Sequence, residues 1–275
     1  MVCQVTILLV ERYSALLVDL DGVVYVGSDA VPHAVESLEE ARARGCAIAY
    51  VTNNAARPPN EVAAHLRVLG LTVDDEHVVT SSQAGAVALL EQARLAPGSR
   101  VLSVGGPGVA QALAEVGLVP VSVDSPDVVA VMQGYGPTVG WPILAEAAYA
   151  LARGVPWMAT NVDATLPTAR GLAPGNGSLV ATLTKATGRT PSVAGKPQPA
   201  LAALAMRRLG VSSALVVGDR LDTDIAFAHA AGLDSLLVFT GVNRLADIAA
   251  TPWAPTYVAN DLRSLHEPPV PYTAR

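Results

Sequence analysis

Short, almost wholly apolar runs alternate along the chain with stretches whose apolar positions recur at helical spacing. "ALLVDL" reads as a strand, residues 33–44 as a helix stopped by Gly45, and "CAIAYVT" as a second strand. "NEVAAHLRVLG" is a helix that Asn60 caps and Gly70 ends. Near the other end, "ALVVGD" and "DSLLVF" are strands separated by the helical stretch "DIAFAHAAG". The middle repeats the rhythm. "RVLSVGG" precedes a helix ending near Gly117, and "VVAVMQGYG" precedes a helix around "ILAEAAYALARG", after which comes "PWMATN". This alternation predicts βαβ units and parallel sheets, an α/β fold. Pro97–Gly98 and "ATGRTPSVAG" bracket the middle with chain breakers. The expected organisation is a core domain split between 1–97 and 190–275, with an inserted domain over 98–189.

Composition narrows the reading. Of 275 residues, 51% are hydrophobic and 15% charged, which suits buried parallel sheets. The net charge of −6 and the lack of a basic run argue against a nucleic-acid partner. Cys3 and Cys46 form neither a disulfide framework nor a zinc site, and Cys46 in "CAIAYV" reads as a small buried residue of a reducing cytoplasm. The apolar stretch Val5 to Val10 has no basic residues before it and is broken by Glu11 and Arg12. It is neither a signal peptide nor a membrane span. A disordered or docked extension is expected there, or a start site set too early.

Four apolar strands end in small polar or charged residues: "LLVDLDG", "AYVTNN", "VAGKPQP" and "LVVGDRLDTDI". Ligands of open parallel sheets gather outside the carboxyl ends of the strands. Asp19, Asp21, Thr52, Asn53, Lys196, Asp219 and Asp224 are therefore expected to converge. Asp19 and Asp219 offer hard oxygens that suit Mg2+ rather than zinc. Thr52 and Asn53 suit phosphate oxygens, and Lys196 supplies a positive charge for the same group. One metal, one lysine, hydroxyl and amide donors and a carboxylate nucleophile make a phosphoryl-transfer site. Alone, Asp19 and Asp21 would read as a strand-end turn; four such strand ends in order favour chemistry.

D-x-D-G at 19–22, the strand end at Thr52, Lys196 and G-D-x-x-x-x-D at 218–224 resemble the four ordered motifs of the haloacid dehalogenase superfamily. The resemblance spans nearly the whole chain, since "DSLLVFTGV" also fits. Asp21 and Thr52 are 31 residues apart, and Thr52 and Lys196 are 144 apart. A cap domain therefore fits only after the second motif. That layout resembles the nucleotidase-like and 4-nitrophenylphosphatase branch, with its phosphoglycolate, pyridoxal phosphate and glycerol-3-phosphate phosphatases. "YVTNNAARPP", "ATNVDATLPT", "GLAPGNGSLV" and "AGKPQP" look like that group, and most like its actinobacterial glycerol-3-phosphate phosphatases.

The resemblance implies a doubly wound, Rossmann-like core, a mobile α/β cap, and a Mg2+-dependent phosphatase of small phosphorylated metabolites in the cytoplasm. In that reading Asp19 is the nucleophile and Asp21 the general acid and base. Asp19, the Asp21 carbonyl and Asp219 hold the metal, with Asp224 behind them. Thr52, Asn53, Asn54 and Lys196 cradle phosphate, Asn54 being equally well a cap. Gly22 and Gly218 leave room for close approach, and "VVYVG" returns as a flap. Asn161, Asp163 and Leu166 are the cap residues expected to choose the leaving group. Animal pyridoxal phosphate phosphatases carry a histidine where this chain has Leu166, which counts against that substrate. A homodimer through the cap is expected.

Dehalogenation needs no acid at position 21, and a mutase would place its cap after the first motif, so neither fits. A non-catalytic phosphate-binding module predicts loss of Asp19, Asp21 or Asp219, and none is lost. "VGGPGVAQAL" reads as a strand-to-helix turn and not a phosphate loop, and the five histidines show no metal spacing. Tyr135 and Trp141 could line the substrate pocket, with core packing the default reading; Ser178 reads as a helix N-cap, and Asp222 as solvent-facing.

Overall fold

The computed structural model describes residues 7–168 and 170–273, so Cys3 and the start of the apolar N-terminal stretch lie outside the described residues. From Leu9 the chain is docked. Leu9–Arg12 form a 3-10 turn, Leu9 and Val10 are buried, and the Leu9 N–H donates to the Glu267 carbonyl at 2.9 Å.

The chain forms two compact units. One comprises the chain up to Val51, Ala63–Val78 and the chain from Ala202 onward; the other comprises Thr52–Val62 and Val79–Leu201.

A six-stranded sheet runs in the order Tyr257–Ala259, Asp234–Val238, Leu215–Gly218, Ala15–Val18, Ala47–Thr52 and Val78–Thr80. Ala15–Val18 is parallel to both neighbours, with Leu16 opposite Leu215 on one side and Ile48 on the other. All four of its residues are buried, as a strand covered on both faces requires. Strand order reverses at this strand. Later strands proceed outward from it in two directions, which makes its carboxyl end the topological switch point. Helices Ala34–Ala43 and Ala226–Ala231 belong to this unit, and Phe227 is its largest fully buried side chain. Between Tyr25–Val26 and Asp29–Ala30 the chain makes a short antiparallel hairpin where the flap was expected.

The second unit holds a parallel five-stranded sheet in the order Ser192–Val193, Trp157–Ala159, Val128–Gln133, Arg100–Val104 and Val119–Val121. Leu102, Val131, Leu151, Trp157 and Leu183 are buried together with the helices Trp141–Ala152 and Asn176–Thr187. An antiparallel hairpin pairs Thr165–Thr168 with Gly171–Pro174.

Three local expectations are corrected. The helix expected to start at Asn60 is Pro59–Val68; Pro58 accepts the N–H groups of Glu61 and Val62, and Pro59 suits a first helical position because its missing donor is not needed there. Ser178 does not cap its helix. The helix begins at Asn176 after Gly175, and the Ser178 hydroxyl donates to the Ala164 carbonyl at 2.8 Å. Trp141 is 76% exposed at the first position of its helix, so it is not core packing. Helix Ser81–Gln92 was not anticipated; a reciprocal capping box between Thr80 and Gln83 starts it.

Candidate active site

In the first unit the apolar strand Ala15–Val18 hands directly to Asp19, whose N–H donates to the Val217 carbonyl of the neighbouring strand at 2.9 Å. Leu215–Gly218 ends in the same way at Asp219. Asp19, Asp219 and Asp224 are respectively 9%, 1% and 1% exposed, and one carboxylate oxygen from each lies within 4.8 Å of the others. Among the described residues this is the one such group of potential ligands. Three like charges so close and so dry are mutually repulsive, and a cation among them is what makes the arrangement tolerable.

Glycines shape the cluster. Gly22 has φ +87°, and a Cβ there would stand 2.7 Å from Asp219 Oδ2. At Gly218 a Cβ would overlap the Asp224 side chain, and at Gly241 it would overlap the Asp219 carboxylate. The sequence reading included Thr240, Gly241 and Val242, of the loop after Asp234–Val238, in "DSLLVFTGV" but gave them no part in the site. There the Val242 N–H donates to Asp219 Oδ2 at 2.7 Å, the Asn243 N–H donates to the Asp219 carbonyl, and the Thr240 hydroxyl donates to the Gly22 carbonyl at 2.6 Å. The only signal in the sequence was a glycine just past a strand.

Asp21 is exposed, and the turn around it is closed by the Gly22 N–H donating to Tyr25. Its carboxylate stands outside the three-carboxylate group. Asp224 Oδ2 accepts the Arg220 N–H at 3.1 Å, while Asp222 is exposed and pairs with Arg220 at 2.8 Å. Cys46 is buried, and burial pushes its thiol up to about 11, so it stays a protonated, unreactive packing residue at neutral pH.

In the second unit Thr52 is the last residue of Ala47–Thr52 and is buried. Its Oγ1 accepts the Asn54 N–H at 3.0 Å, which leaves the hydroxyl hydrogen to donate elsewhere. Asn54 closes a turn of its own, with Oδ1 accepting the Ala56 N–H at 3.0 Å. Lys196 is 3% exposed. Asn53 joins it by two links, Oδ1 accepting the Lys196 N–H at 2.7 Å and Nδ2 donating to the Lys196 carbonyl at 3.1 Å, and Nδ2 also donates to Asp163 at 3.2 Å. Asn161 donates to the Asn53 carbonyl at 2.7 Å. Thus Asn53, Lys196, Asn161 and Asp163, spread over more than 140 positions, are brought together. Leu166 lies in the hairpin, opposite Ala173.

Family models describe the same chain. A haloacid dehalogenase-like hydrolase model matches residues 16–119 and a HAD-hydrolase-like model matches residues 193–265. The D-glycerol 3-phosphate phosphatase of Mycobacterium tuberculosis is 54% identical over 261 residues, covering 94% of this chain and 72% of that protein. The chain is a haloacid dehalogenase-like hydrolase. Another member of the group, the acid sugar phosphatase of Staphylococcus aureus, is 36% identical over 92% of this chain and 96% of its own. A crystal structure of the M. tuberculosis glycerol phosphate phosphatase in complex with magnesium superposes with a TM-score of 0.89 at 53% identity, over 94% of this chain and 78% of that one. For this hydrolase the donor set fits a hard divalent cation: it is all carboxylate oxygen, with glycines rather than side chains crowding Asp219 and Asp224. No helix among the described residues is long and apolar enough to cross a membrane.

Proposed function

We propose that this hydrolase removes phosphate from small phosphomonoesters, with glycerol 3-phosphate as its substrate and Mg2+ as its cofactor. The buried Asp19–Asp219–Asp224 group carries the reading, because it is an oxygen-only cluster suited to a cation that begins one residue past the central strand. Asp19, Asp219 and the Asp21 carbonyl, backed by Asp224, would hold the ion, which supplies positive charge to the phosphoryl oxygens. A carboxylate oxygen of Asp19 bonds to phosphorus as the bond from phosphorus to the substrate alcohol breaks, and Asp21 delivers a proton to the departing oxygen. Water then attacks the aspartyl-phosphate, Asp21 takes its proton, and phosphate and free Asp19 are released. Thr52 through its hydroxyl hydrogen, Lys196 through its charge, and the main chain at Asn53 and Asn54 are the phosphate-directed groups. The expected division into a core (1–97 and 190–275) and a cap (98–189) goes with this reading, as does action in a reducing cytoplasm, which the unpaired, buried Cys46 supports.

The substrate assignment rests on similarity to the M. tuberculosis enzyme. It is tested by kcat/KM across glycerol 3-phosphate, phosphoglycolate, pyridoxal phosphate, a hexose phosphate and a nucleotide. Glycerol 3-phosphate is expected to lead. A preference above about tenfold for pyridoxal phosphate or a nucleotide would overturn it, since one well-placed pocket contact already supplies discrimination of that size. A homodimer through the inserted domain is part of the same proposal. Trp141 and Tyr149 are 76% and 57% exposed and stand eight residues apart, on one face of helix Trp141–Ala152. Sedimentation should give a dimer that Trp141→Glu converts to monomer; a monomeric wild type at micromolar concentration sinks the idea.

A further inference from the structure

A side-chain amide has two hydrogens to donate and one oxygen to accept with. At Asn53 both donors and the acceptor are engaged by the protein itself. Its Oδ1 takes the Lys196 N–H at 2.7 Å, one Nδ2 hydrogen goes to the Lys196 carbonyl at 3.1 Å, and the other goes to Asp163 at 3.2 Å. The amide thus pairs with both main-chain groups of Lys196, much as a neighbouring strand would. Gly195 makes this approach possible, because a Cβ there would stand 2.6 Å from Asn53 Oδ1. Asn53 is itself held from behind, its carbonyl accepting from Asn161 Nδ2 and from the Ser81 hydroxyl, both at 2.7 Å.

Asp163 has a distinct part in this arrangement. An ionised carboxylate only accepts, so the NH2 side of Asn53 must face it. Turning the amide over would set Oδ1 against the carboxylate and remove the acceptor from the Lys196 N–H. The Asn161 side chain fixes Asp163 in turn, since Asn161 Oδ1 accepts the Asp163 N–H at 3.2 Å. The lysine ammonium sits at the end of a flexible four-carbon stem, and its reach is set by where its Cα is held.

We propose that Asn53 and Asp163 are positioning residues for Lys196: Asn53 clamps the lysine's main chain, and Asp163 fixes the orientation of the clamp rather than reading the leaving group. The proposal rests on the phosphatase reading above for the role of Lys196. It replaces the expectation of Asn53 side-chain contact with phosphate and of Asp163 as a specificity residue.

The test combines calorimetric titration with inorganic phosphate and steady-state kinetics on glycerol 3-phosphate and 4-nitrophenyl phosphate, in variants whose thermal midpoints match wild type. Asp163→Ala is expected to weaken phosphate binding and to lower kcat/KM on both esters by one common factor, up to about 10², the scale of a 1 Å misplacement. Asp163→Asn, which keeps an oxygen facing Asn53, should restore most of that loss. Asn53→Ala added to Lys196→Met should cost less than about twofold further, since a residue acting through Lys196 has nothing left to position. The proposal is overturned if Asp163→Ala shifts the ratio between the two esters by about tenfold while phosphate affinity is unchanged. It is equally overturned if the Asn53 and Lys196 effects multiply. Should Asn53→Ala fail to fold, the two Asp163 variants decide alone. Absence of turnover in wild type would refute the phosphatase reading, and the phosphate titrations would still judge the clamp.

Discussion

Asparagine in place of Asp19 is expected to lower turnover of 4-nitrophenyl phosphate by at least about 10⁴-fold, the scale seen when a covalent nucleophile is removed. The side chain is 9% exposed at the end of a buried strand, and its N–H is held by Val217, so the near-isosteric change leaves the backbone where it is. What it removes, on the proposed mechanism, is the attacking oxygen, together with one negative charge of the three within 4.8 Å. Far-ultraviolet circular dichroism should match wild type. Chelation by EDTA should silence the wild-type enzyme and added Mg2+ should restore it. Retention of more than a hundredth of wild-type activity by Asp19→Asn, roughly 3 kcal/mol of barrier at most, would rule out covalent catalysis at this residue.

The second large effect is expected at Gly241, a position with no polar side chain. A methyl group there overlaps the Asp219 carboxylate, and the adjacent Val242 N–H is what orients Asp219 Oδ2 at 2.7 Å. Gly241→Ala should therefore displace Asp219, a ligand of the proposed metal site, while leaving Asp19, the proposed nucleophile, untouched. The concentration of Mg2+ needed for half-maximal activity should rise by about 10–100-fold, as when groups supporting metal ligands are lost. Activity at saturating Mg2+ should fall much less. An unchanged Mg2+ requirement would mean that the loop after Asp234–Val238 does not set the position of Asp219.

These two residues mark what the sequence could and could not reveal. Asp19, Asp219 and Lys196 were legible because each follows an apolar run, and a charged residue placed there contradicts burial unless it has a partner. The parallel sheets were legible from the same runs. Gly241 was not, because its contribution is space, and that of Val242 is a main-chain N–H that any residue except proline supplies. The bond between Asn53 and Asp163 joins positions 110 apart, a separation that no local pattern encodes. Helix Ser81–Gln92 escaped for another reason. Its first turns bury Ser81, Ser82 and Gln83, whose polarity reads as loop until the hydroxyls are seen donating to the Asn53 and Ala55 carbonyls. Trp141 misled because a large aromatic is ordinarily interior, while here it opens a helix on the surface.

The central strand also sets a schedule for the chain's birth. Of the two neighbours of Ala15–Val18, one, Leu215–Gly218, is made nearly 200 residues after it. At about 5–20 residues per second, that leaves one edge of an entirely apolar strand waiting roughly 10–40 s for its partner. The intervening five-stranded unit has its own sheet and buried core, and it is complete before that partner appears. Synthesis therefore passes through a state in which the five-stranded unit is complete while the last stretch of the other unit, from Ala202 onward, has still to be made.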